Sequence, residues 1–147
     1  MISVLVVDDH ITVREALGSL LETADDIQIV AMASNGQEAV EQAVLRCPDV
    51  TVMDISMPVM DGIEATKQIC ADCPKTRVLM VSMHHTPNYV QRCLQAGALG
   101  YVLKDMAGDD LITAVYSVHE GTGYFSKDIA GIAEQYKYEE GKTTWAG

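Results

Sequence analysis

Three aspartates follow short apolar runs, where reactive groups are expected in an open parallel sheet. Asp8 and Asp9 directly follow the run 2–7, and Asp54 follows the β-branched run 50–53. Ligands and reacting groups gather just outside the carboxyl ends of parallel strands. If the two runs form neighbouring strands, the three carboxylates make one compact anionic pocket. Because like charges in a cleft repel each other, such a pocket should bind a hard divalent cation such as Mg²⁺.

A hydroxyl group and an ammonium group follow two later apolar runs. Ser82 ends the fourth run and Lys104 ends the fifth. Together with a metal ion, they would compensate the charge of a phosphoryl group carried by an aspartate. Each residue alone has a simpler explanation: Asp8 as a helix N-cap, Asp54 as a loop carboxylate, Ser82 as a turn residue and Lys104 as a surface charge. Complementary groups at four strand ends favour the phosphoryl site.

The apolar runs alternate five times with segments of helical periodicity. Pro48 and Pro74 end two of these segments before the next run begins. The alternation predicts a doubly wound α/β domain, in which five helices cover both faces of a five-stranded parallel sheet. The predicted strands are residues 2–7, 27–33, 50–54, 77–81 and 99–103, and the predicted helices lie near 12–23, 36–46, 62–72, 87–96 and 108–120.

The regular alternation ends at about residue 120. We therefore predict a domain over residues 1–120 and a linker or C-terminal tail over 121–147. Tyr124 and Phe125 are apolar enough to pack back on the domain, and the residues after them have the pattern of one short helix. The polar stretch 138–147 should be loosely ordered.

The charge of the chain argues against direct nucleic-acid binding. Its formal net charge is -11, and no basic patch is visible in the sequence, whereas phosphate neutralisation supplies most of the affinity for nucleic acids. No apolar run reaches the roughly 20 residues that span a bilayer, and no signal peptide is visible. We expect a cytoplasmic protein that does not bind a membrane.

The candidate residues stand with short motifs at characteristic positions: Asp8-Asp9, Asp54, Met57-Pro58, Asp61-Gly62, Ser82, the segment 96–104 with Lys104, and Gly123-Tyr124-Phe125-Ser126. Together they resemble the receiver domain of two-component response regulators, over residues 2 to about 120. The later motifs resemble the NarL/FixJ branch, whose members are transcription regulators with a C-terminal helix-turn-helix. No such motif follows in this sequence. The resemblance implies a flavodoxin-like fold with strand order 2-1-3-4-5.

The resemblance also implies a metal site and a phosphoacceptor. Asp54 would accept a phosphoryl group from a phosphohistidine of a sensor histidine kinase. Asp9, Asp54 and the backbone carbonyl of Ser56 would ligate Mg²⁺, and Asp8 would act at the metal partly through water. The chain would be a signalling phosphoacceptor rather than an enzyme with a diffusible substrate.

The resemblance also implies residues that bind the phosphoryl group and a side chain that changes conformation when it is bound. Ser82 and Lys104 would contact its oxygens, and Tyr101 would turn inward when Ser82 moves towards the phosphate. Met83 and His84 would tune the lifetime of the phosphoryl group. Many receivers have a proline after the lysine with a cis peptide before it, whereas Asp105 follows here.

Other functional classes fit the sequence less well. A related phosphohydrolase would place a second aspartate two residues after the nucleophile, where this chain has Ser56. A nucleotide-binding module would need a glycine-rich loop after a strand, and none is present. Two readings of the receiver remain: a regulator that controls transcription through an output domain, and a stand-alone receiver that acts by protein–protein binding.

Phosphorylation is expected to promote a homodimer, through the fourth and fifth helices or through the first and fifth.

Overall fold

The computed structural model of the chain describes residues 1–139, with side chains described as far as Lys137. The expectation of a loosely ordered polar end concerns residues 138–147, which lie outside the described residues except for the backbone of 138 and 139. Within residues 1–139, no helix is both long enough and apolar enough to pass through a bilayer.

The sheet contains six parallel strands in the order β2-β1-β3-β4-β5-β6. The order of the first five strands is as expected, but the predicted strand count of five is wrong. The sixth strand has only two residues, too few to give a periodic signal in the sequence, and it pairs with the backbone of β5. The strands are β1 Ile2–Val7, β2 Ile27–Ala33, β3 Val50–Met53, β4 Arg77–Ser82, β5 Gly100–Leu103 and β6 Tyr124–Phe125.

Six α-helices surround the sheet in the described part of the chain, so the predicted count of five is also too low. The additional helix is the last one, with 13 residues, where one short helix was expected. A single 3₁₀ turn, Lys104–Met106, follows β5. The helices are α1 Ile11–Glu22, α2 Gly36–Arg46, α3 Gly62–Asp72, α4 Pro87–Ala96, α5 Ala107–His119 and α6 Lys127–Glu139.

Each face of the sheet packs against its own hydrophobic cluster, as a doubly wound fold requires. Leu5 and Val7 of β1 belong to the cluster formed with α2, α3, α4 and α6. Val4 and Val6 belong to the cluster formed with α1 and α5. Because successive side chains of a strand point to opposite faces, a continuous apolar strand is what burial on both faces needs.

The loop between β3 and α3 is held tightly at two glycines. The amide of Gly62 donates to the carbonyl of Ile55 at 2.7 Å, and the amide of Gly36 donates to the carbonyl of Met60 at 2.9 Å. A Cβ atom on Gly62 would overlap the backbone carbonyl of Asp54, and one on Gly36 would overlap that of Met60. The loop therefore follows a path that only glycine allows at these positions.

Gly62→Ala should destabilise the protein by about 1–3 kcal/mol, because the new methyl group forces the backbone of Asp54 to move. The measurement is the free energy of unfolding from urea titration. Gly108→Ala is the matched control, since its Cβ would meet no atom within 4 Å and alanine stabilises a helix by about 0.5–1 kcal/mol relative to glycine. Equal effects of the two substitutions would contradict the assignment of a tight contact at Gly62.

Candidate functional site

Asp8 and Asp54 lie side by side because their strands are neighbours in register. Val7 pairs with Met53, and the amide of Asp54 donates to the carbonyl of Val7 at 3.1 Å. Asp8 is completely buried and Asp54 is 6% exposed. The sequence-based prediction that these strand ends meet is thus supported by the structure, although two buried carboxylates in contact need a compensating positive charge.

Lys104 supplies that charge from the end of β5. Its Nζ lies 2.8 Å from Oδ2 of Asp8 and 3.3 Å from Oδ1 of Asp54. Burial alone would lower the pKa of Lys104, but the carboxylates of Asp8 and Asp54 outweigh burial and raise that pKa. No cis peptide bond occurs in the described chain, so Lys104 reaches both carboxylates without the cis geometry common in receivers.

Asp54 is the carboxylate whose ionised form the fold disfavours. Burial raises its pKa, the ammonium of Lys104 lowers it, and the negative charge of Asp8 raises it again, with a net upward shift. Its Oδ1 also accepts a hydrogen bond from the amide of Ile55 at 2.9 Å. A carboxylate with perturbed ionisation beside a charged partner is a typical feature of a functional site.

Asp9 and His10 extend the acidic cluster towards solvent. One ligand atom from each of Asp8, Asp9 and His10 can be chosen so that the three lie within 4.8 Å of one another. Nδ1 of His10 is 3.2 Å from Oδ1 of Asp9 and 3.4 Å from Oδ1 of Asp8. His10 was not among the predicted site residues, although its position directly after Asp9 was a usable signal.

The cluster fits a hard cation. Oδ1 of Asp9 is buried and makes no hydrogen bond within residues 1–139, although Nδ1 of His10 lies 3.2 Å from it. A cation at this oxygen would satisfy it more fully than that contact does. Carboxylate and carbonyl oxygens are the ligands that Mg²⁺ prefers. Receiver domains generally bind Mg²⁺ at an acidic pocket, and the cluster of Asp8, Asp9 and His10 is acidic in this way.

The loop after β4 contacts the loop after β3 through His84. The Oγ of Ser82 accepts a hydrogen bond from the amide of His84 at 3.0 Å, a contact in which Ser82 is only an acceptor. The Oγ of Ser56 lies 3.0 Å from Nε2 of His84. The His84 ring stacks on Tyr89 of α4, with ring centroids 4.1 Å apart. His84 thus joins the β3–α3 loop to α4, whereas Met83 is largely exposed.

The side chain of Tyr101, a residue of β5, lies in the hydrophobic core. It is fully buried, and its hydroxyl donates to the backbone carbonyl of His84 at 2.7 Å. Burial raises the pKa of this phenol, so it stays protonated and remains a donor. Tyr101 therefore holds the β4–α4 loop, the same loop that carries Ser82.

Comparison with models of protein families matches residues 4–116 to the response regulator receiver domain. The chain belongs to this family. It is accordingly a signalling domain of a two-component system rather than a classical enzyme.

Two curated relatives are transcription or response regulators of bacteria. The transcriptional regulatory protein LnrK of Bacillus subtilis is 43% identical over 95% of this chain, and the response regulator UvrY of Escherichia coli K12 is 36% identical over 97%. The chain spans 64% of the length of LnrK and 66% of that of UvrY.

Solved structures agree with the fold and with the branch. A two-component response regulator of the LuxR family from Aurantimonas has a TM-score of 0.87 and 34% identity, covering 92% of this chain and 97% of that one. The signal receiver domain of a response regulator named NarL from Mycobacterium tuberculosis has a TM-score of 0.78 and 34% identity, covering 82% of this chain and 97% of that one. The resemblance to the NarL/FixJ branch is confirmed.

Asp54→Asn should stabilise the metal-free protein, because it removes the carboxylate whose ionisation the fold disfavours. A buried carboxyl with a raised pKa lowers stability at pH values above that pKa, and this cost disappears below the pKa of about 3.9 that aspartate has in the unfolded chain. The gain should be about 0.5–2 kcal/mol at about pH 7 and should shrink towards about pH 4. Urea titrations across this range measure it.

Asp72→Asn is the matched control, since this exposed carboxylate at the end of α3 lies away from the cluster. Its effect should stay within about 0.5 kcal/mol at both pH values. A destabilising Asp54→Asn at neutral pH would contradict the electrostatic assignment.

Proposed function

We propose that the chain is a phosphoacceptor that takes a phosphoryl group from a phosphohistidine of a sensor histidine kinase onto Asp54. The observation that supports this most directly is the bridging of Asp8 and Asp54 by Nζ of Lys104, at 2.8 Å and 3.3 Å. A nucleophilic carboxylate, an adjacent acidic cluster and a fixed ammonium group form the charge pattern that phosphoryl transfer needs.

The residues have distinct roles in this transfer. Both contacts given above for Asp54 involve Oδ1, so Oδ2 is the oxygen that attacks phosphorus. As that bond forms, the bond from phosphorus to the kinase imidazole breaks, and the imidazole nitrogen keeps the electron pair. The ammonium of Lys104 stabilises the charge on the phosphoryl oxygens. Bound Mg²⁺, held by the acidic cluster, would neutralise further charge on the same oxygens.

Phosphoryl transfer to Asp54 would change the surface formed by the β4–α4 loop, through Ser82 and Tyr101. The Ser82 hydroxyl can donate to a phosphoryl oxygen, since its contact with the His84 amide uses only its acceptor capacity. Movement of Ser82 would carry the β4–α4 loop with it, and the hydrogen bond from Tyr101 to His84 would follow. Met83 at the surface and His84 between the loops are placed to affect the lifetime of the phosphoryl group.

Exposed apolar side chains around the acidic cluster suit a partner protein. Ile11 at the start of α1, Met83 after β4 and Met106 after β5 are 61%, 57% and 38% exposed. Their elements begin or end at the same edge of the sheet as Asp54. We infer that this rim contacts the kinase, because apolar side chains that surround a reactive group bury area when a partner docks.

The output is proposed to be control of transcription through a separate helix-turn-helix domain. The support is that the relatives named above are regulators of greater length than this chain. In this proposal residues 1–120 form the receiver, and residues 121–147 form the linker to the output domain. This chain itself would bind neither nucleic acid nor membrane and would act in the cytoplasm. The alternative is a stand-alone receiver that acts by protein–protein binding.

Incubation with an acyl phosphate should add one phosphoryl group in the presence of Mg²⁺, and intact-mass spectrometry measures the gain. Chelation of the metal should abolish it, because the acidic cluster would then repel the donor. Asp54→Asn should lose the gain and Asp72→Asn should keep it. A metal-dependent gain that survives in Asp54→Asn would place the acceptor elsewhere.

We further propose that phosphorylation promotes a homodimer through α1 and α5, because β6 and α6 already cover the edge of the sheet beside α4. Sedimentation with Mg²⁺ and beryllofluoride, an analogue of the phosphoryl group, should give a larger mass than sedimentation without them. Asp54→Asn should remain at the lower mass under both conditions. An unchanged mass of the parent protein would contradict the proposal.

A further inference from the structure

The segment after α5 is hydrogen-bonded to β5, the strand that contains Tyr101 and directly precedes Lys104. Tyr101 pairs with Phe125 of β6, and the amide of Ser126 donates to the carbonyl of Tyr101 at 3.0 Å. The amide of Leu103 in turn donates to Oγ of Ser126 at 3.0 Å. Hydrogen bonds thus join Ser126 to β5 on both sides of Val102.

Ser126 also reaches α5, through Asp110. Its Oγ donates to Oδ2 of Asp110 at 3.1 Å, and the hydroxyl of Tyr124 donates to Oδ1 of the same carboxylate at 3.1 Å. Ser126 is 1% exposed. Its carbonyl accepts hydrogen bonds from the amides of Ile129 and Ala130 in α6. We call Asp110, Tyr124 and Ser126 the C-terminal clasp; it fixes where α6 begins.

From this start α6 lies on α4, next to Tyr101. Ile129, Ala133 and Tyr136 of α6 are 0%, 2% and 4% exposed. They belong to the same hydrophobic cluster as Tyr101 and Val90 of α4, and α6 contacts α4, β5 and β6. The edge of β5 that faces away from β4 is therefore covered by the C-terminal segment.

We propose that α6, a helix of the same chain, occupies the α4–β5 face and holds Tyr101 in its inward position. An outward turn of Tyr101 would have to displace Phe125 or α6, because close-packed interiors leave no room for an additional ring. Docking of α6 and binding of a phosphoryl group at Asp54 are then positively coupled, since both favour the inward position of Tyr101. This inference rests on the proposed function and extends it to α6.

The coupling is reciprocal by thermodynamic necessity, so it can be measured from either end. From the site, Mg²⁺ and beryllofluoride should slow hydrogen–deuterium exchange of the amides in residues 129–137 of the full chain. From the helix, undocking α6 should weaken the affinity for beryllofluoride, measured by calorimetry at saturating Mg²⁺, by about 5-fold or more.

Ile129→Asn is the variant that undocks α6, because it places an amide in a fully buried apolar position. Ala130→Asn is its matched control: the same side chain is added at the next position of the same helix, where the residue is exposed. Ser126→Ala is a second, milder variant that removes the hydroxyl of the clasp and keeps the apolar contacts. Circular dichroism and urea titration establish that each variant is folded.

The inference predicts weaker beryllofluoride binding in Ile129→Asn and Ser126→Ala, faster exchange of α6 in both, and neither effect in Ala130→Asn. Unchanged exchange of α6 on beryllofluoride binding by the parent protein would overturn it, whatever the variants do. So would a folded Ile129→Asn with fast exchange in α6 and unchanged affinity. In both cases the proposed phosphoacceptor would stand, whereas failure of the parent protein to bind beryllofluoride with Mg²⁺ would overturn both proposals.

Discussion

The ammonium group of Lys104 lies between two buried carboxylates, and the arrangement of the site depends on this contact. Asp8 and Asp54 are brought together by the pairing of β1 with β3, and their burial would be strongly unfavourable without a positive charge. One lysine satisfies both carboxylates within 3.3 Å and still leaves Asp54 with a raised pKa. The fold thus keeps a carboxylate whose ionised form gains from any further cation.

The loop between β3 and α3, next to Asp54, has a strained backbone and a close backbone contact. Val59 has a φ of 69°, a conformation that β-branched residues rarely adopt and that costs about 1–3 kcal/mol. Gly62 lies against the carbonyl of Asp54 in a position that excludes any side chain. The loop therefore has little freedom, which holds Asp54 and the backbone of Ser56 in one geometry. His84 then connects this rigid loop to α4 through Ser56 on one side and Tyr89 on the other.

Strand β5 links the site to the end of the chain. Lys104 directly follows this strand at the acidic cluster, Tyr101 within it contacts the β4–α4 loop, and Ser126 bonds to its backbone on the outer edge. The acidic cluster, the β4–α4 loop and the start of α6 are therefore all in contact with β5 or with the residue that directly follows it. The C-terminal segment packs as part of the domain within residues 1–139, because Ile129 and Ala133 are buried against α4 and β5.

The sequence by itself determined the alternating elements and the strand ends that carry Asp8, Asp54 and Lys104, because hydrophobic periodicity and the position of polar residues after apolar runs are local signals. Its motifs also resemble those of the family to which the chain belongs. Tertiary structure alone decided the sixth strand, since two residues carry no period and β6 forms by pairing with the exposed edge of β5. It likewise decided the role of Ser126, which depends on contacts made only after folding. Side-chain contacts between distant segments are set by packing, and no local pattern in the chain encodes them.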